Sequence, residues 1–353
     1  MRKVDFLIVG QGISGTFVSR ELELAGRSFI VIDKLNSSSA SKVAAGIINP
    51  VTGRRIVETW MIGVLMEHAL SAYQGLGATL GITAIYSRKL VDFFPSPQMK
   101  LAFLQRLEET AGFLSQPESQ NDHLDHFNYD FGYGEISPCY IVQLGEILGT
   151  WRNRLLQSDQ VMNEDFNYGE LEFTANGIGY RDISAQKVIF CEGIRAARNP
   201  WFKNLPFAFN KGEALLIRSE AIPPGLIYKK GLMLSPVAEN IFWVGSSYEW
   251  DFSDDQPSEA FRGKTELLLK HWLKQPFETI GTLAAIRPAS IERRPFVGIH
   301  PHLPQLAILN GMGTKGCSLA PFFARQLIEL LTKNTPILKE ADVKRHSRIL
   351  AMP

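Results

Sequence analysis

Three glycines near the start of the chain, Gly10, Gly12 and Gly15 in the run Val9-Gly10-Gln11-Gly12-Ile13-Ser14-Gly15, have the spacing of a turn that wraps a diphosphate. Gly10 permits a tight strand-to-helix turn, Gly12 lets the backbone approach a pyrophosphate, and Gly15 lets the helix lie close on its sheet. The unpaired N–H groups and positive end of that helix then face the phosphates. Asp33 closes the unit where a carboxylate accepts hydrogen bonds from a ribose and repels a 2′-phosphate. The chemistry is dinucleotide binding, and the motif by itself leaves NAD and FAD both open.

A second glycine-rich turn, Gly311-Met312-Gly313-Thr314-Lys315-Gly316, joins another apolar run to a helix start near Cys317. Two such turns at opposite ends of the chain would bring two helix N-termini to one ligand. The second would stabilise negative charge, and Lys315 could add a full positive one; a solvated lysine is the alternative. Between the turns, Asn36 to Lys42 is a serine-rich stretch, followed by Val43-Ala44-Ala45-Gly46-Ile47-Ile48-Asn49-Pro50. Such small residues suit a loop passing near a ligand, or a plain surface linker. The acids and histidines of Asn121 to His126 read as solvated, His300-Pro301-His302 offers too few ligands for a metal, and the basic run Lys344 to Arg348 reads as a solvated helix. No metal is expected.

The elements that must hold these groups follow from periodicity and breakers. Residues 6–9 and 28–32 are β-rich and flank a helical pattern ending at Gly26. Helices are expected over 62–80, 99–110 and 144–156, and strands over 170–174 and 177–181. Residues 187–194 form a buried strand ending in Cys191-Glu192-Gly193, which has the shape of a return to the first sheet. From 206 to 249, short strands separated by Pro, Gly and Asn indicate an antiparallel sheet, hence a second domain inserted between pieces of the first. Ser258 caps a helix over 258–274.

The 353 residues suit two domains, and 45% hydrophobic with 21% charged residues is a globular composition. A net charge of +1 gives no general attraction to nucleic acid or anionic membrane. Cys139, Cys191 and Cys317 form no CxxC pair, which points to a reducing compartment. The N-terminus lacks a signal-peptide pattern and no apolar run reaches the ~20 residues of a membrane span, so a cytoplasmic protein is expected.

With these residues in view, the chain resembles the FAD-dependent D-amino-acid oxidase, glycine oxidase and sarcosine oxidase superfamily. The matching pieces come in order: the Gly10 unit, Ala45-Gly46-Ile47, Cys191-Glu192-Gly193, Val244 to Glu249, Ile286-Arg287-Pro288 with Pro295 to Gly298, and Gly311 to Pro321. The resemblance implies an α/β fold, a Rossmann-like FAD-binding domain (1–80, 136–205, 285–353) with an inserted antiparallel-sheet substrate domain (81–135, 206–284). It implies FAD contacts from Gly10, Gly12, Ile13, Ser14, Gly15, Asp33, Lys34, Ala40, Ser41, Ala45, Gly46, Ile47, Val161, Cys191, Gly193 and the loop Gly311 to Gly316. Arg287 matches the arginine that forks onto a substrate carboxylate, a contact suited to a guanidinium; an ion pair with Glu292 is the alternative. Lys315 and Tyr248 are further catalytic candidates, although Tyr248 could equally be a core aromatic.

The implied reaction moves a hydride from the carbon beside nitrogen in a small amine or amino acid to the flavin. Three residues depart from the pattern. Met233 stands where relatives often have a tyrosine, Met312 where a histidine is common, and Thr314 where an arginine often sits. A flavin-dependent hydroxy-acid or alcohol dehydrogenase, and a flavoprotein without small-molecule turnover, are therefore carried as rival readings; an NAD-dependent dehydrogenase fits only the first 34 residues. The electron acceptor and oligomeric state are left open.

Overall fold

The strand Arg2–Val9 sends Phe6 and Ile8 to one face and Leu7 and Val9 to the other, and all four are buried. A strand apolar on both faces needs cover on both, which is the condition of a parallel sheet inside an α/β layer. In the computed structural model, which describes residues 2–35, 38–53, 55–109, 112–175 and 177–351, Arg2–Val9 lies between Ile183–Phe190 and Phe29–Ile32, parallel to both. Val161–Met162 extends the sheet beyond Phe29–Ile32, and Leu306–Asn310 runs parallel to the end of Ile183–Phe190. The hairpin Leu171–Thr174/Gly177–Tyr180 and the strand Phe296–Ile299 complete it in antiparallel fashion. Asn36 and Ser37 of the serine stretch and Thr110 lie outside the described residues.

One face is covered by the helices Ile13–Leu24, Ile62–Leu80, Leu144–Gln157 and Gly316–Lys333, through Phe17, Leu65, Tyr73, Trp151 and Phe323. The other face packs Leu7, Val9, Phe190, Phe202 and Ile308. Each fully buried side chain of this size contributes about 1.5–3 kcal/mol of transfer free energy. Ile13–Leu24 rests against Gly316–Lys333, so the two glycine turns open side by side.

The second sheet has the order Glu278–Ser290, Phe207–Arg218, Ile241–Gly245, Leu232–Ala238, Ile227–Lys230, Ile85–Phe93, Tyr133–Val142 and Ile47–Ile48, with Leu114–Ser115 at its side. It is antiparallel except where Ile227–Lys230 meets Ile85–Phe93 in parallel. The pairings differ from the expected divisions in three places: Ile47–Ile48, expected in the nucleotide domain, pairs with Ile141 and Tyr140 in this sheet, and two long strands cross an expected boundary. Residues 136–142 and 285–290, expected in the nucleotide domain, are the continuations of long strands of this second sheet. No glycine or proline turn interrupts either strand at the expected boundary, so the chain runs on. One face buries Phe93, Leu215, Ile217, Phe242, Val244 and Trp272; the other looks toward the nucleotide domain. Ser258 caps its helix as expected, its hydroxyl accepting from the Phe261 N–H at 3.2 Å. No helix among the described residues is long and apolar enough to cross a membrane.

Candidate cofactor and substrate site

A cavity of about 1220 Å³ is lined by both glycine turns, the loop 38–49 and the inner face of the second sheet. That exceeds the roughly 300–1,000 Å³ of a site for one drug-sized ligand.

At its nucleotide end, Gly10 has φ +98°, and a β-carbon there would stand 2.4 Å from the Cys191 carbonyl oxygen. A β-carbon on Gly15 would meet the Gly10 carbonyl at 1.9 Å. The turn therefore excludes side chains at both positions. Ile13–Leu24 begins without a side-chain cap, while the Ser41 hydroxyl accepts the Ile13 N–H at 3.1 Å. The Asp33 carboxylate accepts the Gln11 N–H at 2.9 Å and a guanidinium N–H of Arg152 at 2.7 Å. Arg152, almost wholly buried, also donates to the Gln11 side-chain oxygen, the Asp33 carbonyl and Asn163. Glu192 is on the same wall; burial raises its carboxyl to about 7 against hydrogen bonds from Tyr168 and Asn199.

Ile13, Ser14, Lys34, Ala40, Ser41, Ala45, Gly46, Ile47, Cys191 and Gly193 also line the cavity. Trp243 fixes the loop among them by donating its indole N–H to the Val43 carbonyl at 2.9 Å and packing on Ala45. Val161 does not line the cavity. It pairs with Val31 at the sheet edge and faces the hydrophobic core. Gly15 and Gly311 act one layer back: Gly311, at φ +78°, turns the chain where a β-carbon would be 2.9 Å from the Phe296 ring.

At the far end, Met312, Gly313, Thr314, Lys315 and Gly316 form the wall, and the helix Gly316–Lys333 starts there, again without a side-chain cap. The Gly313 N–H donates to the Pro288 carbonyl at 3.0 Å, tying this turn to the strand that carries Arg287. Burial, with Arg293 and Arg294 nearby, lowers the Lys315 ammonium below its ordinary value.

The Arg287 guanidinium is held by neutral acceptors: Asn210 at 2.7 Å, the Ser246 hydroxyl at 2.7 Å and the Ser247 carbonyl at 3.1 Å. It lies 4.6 Å from the centre of the Tyr248 ring, which is largely exposed at the cavity mouth rather than part of the core. Among the described residues no carboxylate is within ion-pair distance of Arg287. Glu292 instead accepts from Arg345, which is partly buried against Phe296, so the basic C-terminal run is a packed element and not a solvated helix. Gly212 makes the room, because a β-carbon there would fall 1.8 Å from an Arg287 nitrogen.

Sequence reasoning missed Arg152, Gly212 and Trp243, as well as the pair Asp92–Lys229, joined at 2.7 Å on the cavity wall. Two of them carry a signal. Arg152 is a charged residue on the buried stripe Leu148, Trp151, Leu155, and Gly212 sits inside a strand, where glycine often marks close approach. His123 of the Asn121–His126 segment is packed rather than solvated, its ring 5.0 Å from that of Tyr133.

Two uncapped helix starts, set on turns that side chains would block, face one cavity that continues past them to an unpaired guanidinium. These residues fit a dinucleotide cofactor with a donor site beyond it, the design of a flavin-dependent oxidoreductase. No known protein-family model matches the chain. Glycine oxidase of Pseudomonas aeruginosa is 23% identical over 372 residues, covering 97% of this chain and 99% of that protein. The glycine oxidase structure from Geobacillus kaustophilus superposes with a TM-score of 0.78 at 16% identity over 96% of both chains. The α-glycerophosphate oxidase of Mycoplasma pneumoniae, with FAD bound, gives 0.73 at 16% identity, covering 95% of this chain and 96% of that one. The chain is thus similar in sequence to a glycine oxidase over nearly its whole length and shares the fold of the glycine oxidase and α-glycerophosphate oxidase structures.

Proposed function

We propose that the protein oxidises a small amine or amino acid at the carbon beside nitrogen, with Arg287 as the carboxylate anchor. FAD would be held by Gly10, Gly12, Asp33, Ala45 to Ile47 and Met312 to Gly316, and would supply a two-electron acceptor for a hydride from the donor, whose imine product water would hydrolyse. Arg287 presents N–H groups to a carboxylate, and its seat on Asn210, Ser246 and Ser247 fixes their direction before the donor arrives. Ala214 and Gly245 keep the neighbouring wall thin, leaving space for the donor carbon. Lys315 and the uncapped helix start beside it favour negative charge at the flavin end.

The observation that carries this reading is the half-buried Arg287 guanidinium with no acid beside it among the described residues. Burying a charge without a counter-ion is costly, and a ligand carboxylate would offset that cost. The cytoplasm is the setting we propose, on three separate buried thiols, Cys139, Cys191 and Cys317, none of them in a disulfide. The test is anaerobic mixing of the FAD-loaded protein with amines, amino acids and 2-hydroxy acids. Bleaching of the flavin by amines or amino acids supports the reading; bleaching by hydroxy acids alone, or by none of the three, overturns it.

A further inference from the structure

The inner face of the second sheet carries a continuous cross-strand row. Ala214 is paired with Gly245, Gly245 with Met233, Met233 with Lys229, and Lys229 with Asp92. Directly opposed residues share a face of the sheet, and all five line the cavity. The row runs from the thin wall near Arg287 to an ion pair at its other end. Lys229 Nζ is 2.7 Å from an Asp92 oxygen; the aspartate side chain is 2% exposed and the lysine side chain 16%. The lysine is thus the more exposed member of the pair. It has two further N–H donors, and the Asp92 contact is its one hydrogen bond among the described residues.

A largely buried charged pair is a poor source of stability, since desolvation offsets most of the attraction. Burial outweighs Lys229 and holds the Asp92 carboxyl above its ordinary value. A pair that contributes little to folding while offering an ammonium to the donor space is suited to recognition.

We propose that Lys229, positioned by Asp92, binds a second carboxylate of the donor, so that the preferred substrate is an amino acid carrying a distal acidic group. The proposal rests on the amine-oxidation reading above and narrows it. The Arg287 guanidinium lies over Gly212. From that strand to the strand of Lys229 there are three sheet intervals, roughly 14 Å at the backbone. Longer dicarboxylates should therefore bridge the two cations better than short ones.

The test is anaerobic flavin reduction by two matched series, in both enantiomers: alanine to norleucine, and aspartate through glutamate and 2-aminoadipate to 2-aminopimelate. The reduction rate constant divided by Kd should favour the longer dicarboxylates by about tenfold or more, the scale of one charge-assisted hydrogen bond. Lys229→Met should lower that ratio by a similar factor and Lys229→Arg should restore most of it. If Lys229→Met does not load FAD, Lys229→Met/Asp92→Asn, which removes both charges, takes its place. A ratio of one or below in the unaltered protein, or a ratio unmoved in the variant, overturns the proposal while leaving amine oxidation standing. If neither series bleaches the flavin, the proposal falls, and bleaching by simple amines in the screen above decides separately whether amine oxidation stands.

Discussion

The two ends of the cavity treat charge in opposite ways. At the nucleotide end Asp33 has its own cation: Arg152 holds it at 2.7 Å and is itself held by Gln11 and Asn163. At the donor end Arg287 and Lys315 face the cavity with no acid in ion-pair distance among the described residues. A carboxylate that is to meet neutral ribose hydroxyls must be oriented but not left to attract stray cations. A guanidinium that is to meet an anionic donor must be oriented by neutral groups, as Asn210, Ser246 and Ser247 do. The balanced Asp33 suits neutral ribose hydroxyls, whereas the counter-ion that Arg287 lacks among the described residues points to an anionic ligand at that end.

The contrast can be broken at either end, and the largest effect belongs to the turn itself. Gly15→Val puts a side chain where even a β-carbon would be 1.9 Å from the Gly10 carbonyl. The purified variant should lack flavin absorbance even after incubation with FAD. Gly212→Ala acts only at the donor end. By displacing the Arg287 guanidinium it should lower the specificity constant for a carboxylate donor about 100-fold or more, in line with about 2–5 kcal/mol for losing a buried charged contact. Flavin content should be unchanged, and reduction kinetics with visible spectra check both.

Arg152→Met leaves Asp33 without its cation. Breaking a buried pair of this kind costs about 3–5 kcal/mol, and the exposure of Asp33 places this one at the lower end. Its melting temperature should fall, with FAD affinity weakened and the Michaelis constant of the FAD-saturated enzyme little changed. The smallest effect is on pH dependence. Glu192 is raised from 4.5 to about 7, so between those values the folded protein keeps a proton that the unfolded chain has lost. Stability from this group is complete below about 4.5, declines as pH rises through the window and levels off above about 7. Glu192→Gln should flatten that part of the melting-temperature profile.

The same contrast explains what could be read from the chain. The nucleotide end is local: Gly10, Gly12, Gly15 and Asp33 fall in one βαβ unit, and their spacing alone announces the turn. Arg152 is 119 residues from Asp33, and no local pattern in a single sequence joins the two. The donor end is assembled by strand register. Arg287 could be singled out by resemblance, but Gly212, Asn210 and Ser246 come to it only when Phe207–Arg218 pairs with both Glu278–Ser290 and Ile241–Gly245. The expected boundaries at 136 and 285 miss for a related reason, because long strands carry the chain across them without a break in composition. Val161 was expected on the cofactor wall, yet its short strand turns that side chain into the core.

The most direct test of the account is the binding of an unreactive carboxylate to the oxidised, FAD-loaded protein, followed by the difference spectrum of the flavin. A small aromatic carboxylate such as benzoate should perturb the spectrum with saturation. In Arg287→Met its Kd should rise about tenfold or more, the size of a charge-assisted contact, and the corresponding neutral amide should bind poorly to both proteins. Equal affinity of the two proteins for the carboxylate would contradict the claim that Arg287 waits at the open end of the cavity for an anionic donor.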